Sequence, residues 1–229
     1  MTARPEPISR RERPAKAALT RAGIVSTAVG LMRAEGLQRV TMRRLAKELD
    51  TGPASLYVYV ASTAELHAAI LDELLGEVDL GPVEAAGDWR ERIEAVLGSY
   101  SAVLYQHPAL AHSALVSRPS GPHYVALLET LLALLDEGGV PDAQAAWGVD
   151  VLLQAATASA AEHSVHDASP HADDDWSALA DALENASPER TPHVAALGSR
   201  LLSGTPRTRQ KWGVQMLLDG MLHTPAPAL

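Results

Sequence analysis

Thr41 to Val60 fits two short helical patterns and a turn into twenty residues, and so dense a segment leaves the chain few ways to fold. Thr41 carries a hydroxyl suited to capping the helix that follows, and Met42, Leu45, Ala46 and Leu49 share the i, i+3, i+4, i+7 spacing of one inner stripe. Arg43, Arg44, Lys47 and Glu48 lie off that stripe and face outward. Asp50-Thr51-Gly52 reads as a turn in which Gly52 supplies backbone freedom, and Pro53 suits the first position of a second helix of about seven residues. A helix that short is marginal alone, so Leu56 and Val60 must anchor it to a core. Ala54, Ser55, Tyr57 and Tyr59 are then left for contact with a partner. This is a helix-turn-helix, whose braced second helix suits the major groove of DNA.

The flanks extend the unit. Ala22, Val25, Val29 and Met32 form a helical stripe that ends near Gly36. Ser62-Thr63-Ala64-Glu65 has capping-box spacing and opens a helix carrying Leu66, Ile70, Leu74 and Val78. Beyond it the pattern is helical almost throughout. Asp88 is placed to cap a helix with Ile93, Val96, Leu97, Tyr100 and Leu104, which stops near His107-Pro108. A short helix over Pro108 to Val116 and a loop over Ser117 to Pro122 follow. Tyr124 to Glu137 is leucine-rich enough to predict burial on most sides, and Gly138-Gly139 ends it. Pro141 starts a long helix to about His163 that contains the small-residue run Ala155 to Ala161, which permits close helix packing. A last helix over Thr205 to Leu222 carries Trp212, Met216, Leu217 and Met221. The expected fold is all-α: a three-helix N-terminal unit joined to a larger C-terminal helical bundle.

Charge divides the chain. Residues 1 to 50 carry eleven Lys or Arg against five Asp or Glu, and the remainder eight against twenty-three, giving +6 and −15 within a net −9. Positive charge gathered at one end of an acidic chain points to local, salt-sensitive binding of nucleic acid. Arg10, Arg11, Arg13 and Lys16, interspersed with Pro5, Pro7 and Pro14, read either as an arm reaching the DNA backbone or minor groove or as a leader without a specific role. No apolar stretch matches a signal peptide or a membrane span, and the chain has no cysteine. A cytoplasmic protein with no membrane partner is expected.

Residues 19 to 80 resemble the DNA-binding region of the tetracycline-repressor (TetR) family of bacterial transcription regulators. The resemblance rests on an ordered string: Ala34-Glu35-Gly36, Val40 to Ala46, Leu56-Tyr57-Val58-Tyr59-Val60, and the leucine-rich helix after Ser62. Lys211 to Gly220 is similar to the terminal helix of the family's ligand domains. The chain departs from the family pattern at Asp50, where glycine is usual, at Val58 and Tyr59, where an aromatic residue and a histidine are common, and at Thr63, which replaces a phosphate-gripping lysine. The resemblance implies a homodimer in which the long helix and the last helix pair with their copies as a four-helix interface; otherwise both helices are core. It also implies a palindromic operator in double-stranded DNA, Arg43 as the leading base-edge contact, and Ser55, Tyr57 and Tyr59 sharing base and phosphate contact. Thr41, Arg44 and Thr51 would position the backbone, with Ala54 and Thr63 at the same surface. For Tyr57 the competing reading is a ring partly packed under the recognition helix. The implied boundaries are an arm over 1–18, the reading unit over 19–66, a sensing and dimerising domain over 67–223, and a tail over 224–229.

Phenylalanine is absent, so a C-terminal pocket would be aliphatic with few polar landmarks. Tyr100, Leu104, His107, His112, Tyr124, Leu128, Trp147, Gln154 and Thr157 lie on predicted inner faces and are the candidates to touch a small-molecule effector. His163, His166 and His171 near Asp167, Asp173, Asp174 and Asp175 have the donor types for a divalent metal, but sequence places them in a fraying helix and an acidic loop, and no metal site is assigned. No nucleophile elbow, phosphate-binding glycine loop, zinc-protease helix or thiol is present, so neither an enzyme nor a cofactor is expected. The expected function is repression from a palindromic operator relieved by an effector. The alternative is a DNA-binding protein without small-molecule control, either partner-regulated or architectural.

Overall fold

The structure is a computed structural model that describes residues 18–115, 119–168 and 172–227. Among these residues there are eleven α-helices and no strand. The basic segment with Arg10, Arg11, Arg13 and Lys16 lies outside the described residues.

Helix α1 (Arg21–Glu35) starts where the Thr20 hydroxyl accepts the Gly23 N–H at 3.0 Å. It buries Ile24, Val25, Ala28, Val29, Leu31 and Met32, whereas Ala22, expected on that stripe, is exposed on the opening turn. A short 3-10 turn, Leu37–Arg39, leads into α2 (Met42–Glu48), whose Arg44 N–H is capped by Thr41 at 3.2 Å. Met42, Leu45 and Ala46 are buried as the stripe requires, and Leu49 is half-buried.

The turn is made differently from the sequence expectation. Asp50, not Gly52, adopts the left-handed conformation, with φ +48°, while Gly52 is extended at φ −83°. Thr51 N–H then reaches back to the Ala46 carbonyl at 2.8 Å and closes the end of α2. The recognition helix α3 (Pro53–Leu56) is shorter than the seven residues expected and continues only as a turn, in which Val60 N–H bonds to Leu56 O at 3.0 Å. Leu56 and Val60 are fully buried, so two side chains hold the whole segment to the core.

Helix α4 (Thr63–Leu75) opens with the expected Ser62 cap, which accepts the Glu65 N–H at 3.1 Å, while the Glu65 carboxylate reaches back one residue past the cap and accepts the Ala61 N–H at 2.7 Å. It ends before Val78, which is buried in the turn beyond it. After a 3-10 turn at Gly81–Glu84 come α5 (Trp89–Gln106, capped by Asp88), α6 (Pro108–Ala114) and α7 (Pro122–Glu137). Helix α7 is amphipathic rather than buried on most sides, with Leu127, Thr130, Leu131, Leu134 and Leu135 inward and Val125 exposed.

Helix α8 (Asp142–Ala168) outruns its expected end and is the central strut, packed against α5, α6, α7 and α11 (Pro206–His223). Its small residues let neighbours approach closely, and a Cβ at Gly148 would lie 2.4 Å from the Met221 sulfur. Arg90 on α5 holds α11 through Asp219 at 2.6 Å and Gln215 at 3.1 Å. Between α8 and α11, α9 (Ala172–Glu184) and α10 (Pro192–Leu197) form an appendage in which no residue from 174 to 206 is buried.

Candidate DNA-reading surface and effector cavity

The two arginines that open α2 are employed differently. Arg43 is exposed and has no ion pair among the described residues. Arg44 is held by two carboxylates, with Nη2 2.5 Å from Glu35 at the end of α1 and Nη1 2.6 Å from Glu48 one turn along α2. These bonds push the Arg44 pKa upward, and the Arg44 hydrogen bond holds the Glu35 carboxyl below its ordinary range. Arg44 therefore braces α2 against α1, with fewer donors left for phosphate than sequence position implies.

On the recognition segment, Ala54 and Ser55 are exposed, Tyr57 is 52% exposed and Tyr59 36%. Tyr57 is thus about half covered, while Leu56 is the side chain buried completely beneath the segment. Val58, at 80% exposure, is a further outward side chain that its apolar character hid in the sequence. Thr63 is exposed at the first position of α4, the Thr41 hydroxyl is engaged as a cap, and Thr51 is half-buried. Arg43, Ala54, Ser55, Tyr57, Val58, Tyr59 and Thr63 are thus all exposed within one short stretch of chain.

A cavity of about 400 Å³ opens in the bundle, lined from α4, α5, α6, α7 and α8. Four of the expected residues line it: Tyr100, Tyr124, Gln154 and Thr157. The others do not. Leu104 is buried in the core, Leu128 packs against that core, and His112 is exposed. Trp147 is 49% exposed on the outer face of α8, so its expected inward placement is incorrect; the α8 stripe that faces the core runs through Ala145, Val149, Leu152 and Ala156 instead. His107 lines a separate cavity of about 300 Å³ with Met32, Arg33 and Leu37, where the bundle meets the N-terminal unit. Burial lowers the His107 pKa, with Arg33 lowering it further and Glu77 opposing. Sequence reasoning missed Leu71, Leu115, Pro119, Asp150 and Leu153 in the larger cavity. Asp150 had a usable signal, since it lies one helical turn before Gln154.

Cavity and reading unit share α4. Leu71 lines the cavity, and the next residue, Asp72, is a carboxylate only 7% exposed. Asp72 accepts the Tyr124 N–H at 2.9 Å and so caps α7 from another helix, with His123 Nδ1 3.5 Å from its other oxygen. Gly121 makes room for it: a Cβ there would lie 2.0 Å from the carboxylate. Two turns before Asp72 on the same face of α4, Glu65 pairs with Arg21 of α1 at 3.5 Å, and beyond the end of α4 Glu77 pairs with Arg33 of α1.

The side chains of residues 163–173, and with them His163, His166, Asp167, His171 and Asp173, lie outside the described set; Asp174 and Asp175 are exposed. Among the described residues no group of three His, Cys, Asp or Glu is placed to hold a metal, and no helix is long and apolar enough to cross a membrane.

Comparison with known proteins agrees with this anatomy. Residues 24–70 match the family model "Bacterial regulatory proteins, tetR family", and residues 81–224 match "Tetracyclin repressor-like, C-terminal domain". An HTH-type transcriptional regulator of Saccharopolyspora erythraea is 37% identical over 59% of this chain and 56% of its own, and the transcriptional repressor DrrR1 of Streptomyces coeruleorubidus is 37% identical over 58% and 49%. The match thus spans about half the length of these curated relatives. Among solved structures, the proposed transcription regulator SCO7704 of Streptomyces is 55% identical over 93% of this chain and all of its own, with a TM-score of 0.80. ActR of Streptomyces coelicolor, solved in complex with actinorhodin, is 34% identical over 90% and 96%, with a TM-score of 0.77. The chain belongs to the tetracycline-repressor (TetR) family of bacterial regulatory proteins.

Proposed function

We propose that the protein is a transcriptional repressor that binds a palindromic operator as a homodimer and is released by a small molecule in the cavity between α5, α7 and α8. Residues 19–66 read DNA and residues 67–223 sense and pair. The observation that carries this reading is the path from cavity to reading unit: Tyr124 lines the cavity, Asp72 on α4 caps Tyr124, and α4 packs on α1. A molecule that displaces the α7 opening turn therefore pulls on α4.

Two further observations support it. The α8–α11 pair exposes Trp147, Val151, Trp212 and Met216, an apolar outer surface suited to a second copy. Pairing places two recognition segments on half-sites about one DNA turn apart, roughly 34 to 36 Å, which one short segment cannot read alone. DrrR1 is named a repressor, and ActR is solved with actinorhodin bound. Coupling of this kind is typically about 1 to 3 kcal/mol, roughly 5- to 150-fold in operator affinity.

The test is a compound screen read twice, by thermal stability and by operator binding. An effector raises the first and weakens the second together. Compounds that stabilise the chain while leaving operator affinity unchanged at saturation would contradict release by ligand.

A further inference from the structure

We infer that the α5–α7–α8 cavity selects compounds bearing hydrogen-bond donors, hydroxyl or amino groups, over compounds of the same shape that bring only acceptors. The inference rests on that cavity being the effector site, and it names what the site takes.

It follows from where the protons in the cavity wall must lie. Thr157 Oγ1 is 2.7 Å from the Leu153 carbonyl oxygen and 2.7 Å from the Tyr100 hydroxyl. A carbonyl only accepts, so the single Thr157 proton points to Leu153. The Tyr100 proton must then point to Thr157, because two oxygens that close need a proton between them. Tyr100 and Thr157 are both buried, which keeps bulk water from reordering the relay. Burial also pushes the Tyr100 phenol upward, so its proton stays in place.

What Tyr100 has left for the cavity is an acceptor lone pair, strengthened by its own donation. One turn away on α8, the Gln154 amide gives one N–H to the Asp150 carboxylate and keeps its carbonyl oxygen and second N–H, so Gln154 is open to donors and acceptors alike. Tyr100 thus stands as an acceptor-only group in a cavity whose other walls include Leu71, Pro119 and Leu153. A ligand that meets Tyr100 with an acceptor leaves both sides unpaired, and a matched donor there is favoured by about tenfold or more.

Bisphenol A and its dimethyl ether share a skeleton and differ in donors, so they serve as probes for calorimetric titration of the full chain. Bisphenol A is expected to bind at least about tenfold more tightly than the ether. Thr157→Val frees the Tyr100 proton to enter the cavity, and the preference should shift toward the ether. Should that variant fold poorly, Tyr100→Phe removes the acceptor and should narrow the preference. Equal binding of both probes to the wild type would overturn the donor selection while leaving the cavity as a binding site. Binding of neither would overturn both. An unchanged preference in both variants would overturn the relay as its cause.

Discussion

Asp50 is the one described residue other than glycine with a left-handed backbone, and the geometry of the reading unit turns on it. Asp tolerates that region through local hydrogen bonding, whereas alanine is strained there by about 1 to 2 kcal/mol. Asp50→Ala should therefore lower the melting temperature and Asp50→Gly should not, an order that thermal unfolding of the two variants checks directly. Seven and six residues earlier, Arg43 and Arg44 both lie off the apolar stripe, and in sequence only the family resemblance separates their roles. Their difference is tertiary: Glu35, on another helix, captures Arg44. Arg43→Ala is expected to weaken specific operator binding by about 10- to 100-fold, the worth of one bidentate base contact, with stability unchanged. Arg44→Ala should show the reverse order, reduced stability first.

Among the elements, α4 is the one through which the proposed coupling runs. Its Asp72 replaces a local cap for α7, and loss of a cap costs about 0.5 to 2 kcal/mol. Asp72→Ala should lower stability by that amount in urea unfolding and, once an effector is known, reduce its power to release the operator. Acid should also loosen α4. Burial lowers the pKa of His67 on α4, as it does for His107. A histidine lowered in the folded state is protonated first in the unfolded state, so its contribution holds at neutral pH. That contribution falls as pH drops below the ordinary histidine value of about 6.5. The urea midpoint should be lower at acid than at neutral pH, with a smaller difference in His67→Gln. Helices α1, α2, α4, α5 and α11 were legible because apolar stripes mark them locally, with caps at Thr41, Ser62 and Asp88 adding to the signal in three of them. The cavity was legible only in part. Tyr100 and Thr157 follow helical phase, but Leu71 and Pro119 arrive from distant segments whose meeting no local pattern encodes. Trp147 was misplaced because a hydrophobic residue on a two-faced strut has no sequence mark for core against outer face.

For the whole molecule, segregated charge and outward apolar surface point the same way. The acidic body contributes nothing to phosphate attraction, so affinity depends on the N-terminal basic cluster. If a dimer neutralises about eight phosphates, binding should fall by roughly three to five decades between low and moderately high salt. Trp212, 67% exposed on α11, should report pairing, because Trp212→Glu places a charge on that face and should yield monomers in sedimentation. The most direct test is selection of bound fragments from the source genome by wild-type protein, repeated with Arg43→Ala and Tyr57→Ala. The expected result is an enriched palindrome bound by two chains, lost in both variants while each remains a folded dimer. A palindrome still bound with wild-type affinity by both variants, or no enriched sequence from the wild type, would contradict DNA reading by this surface.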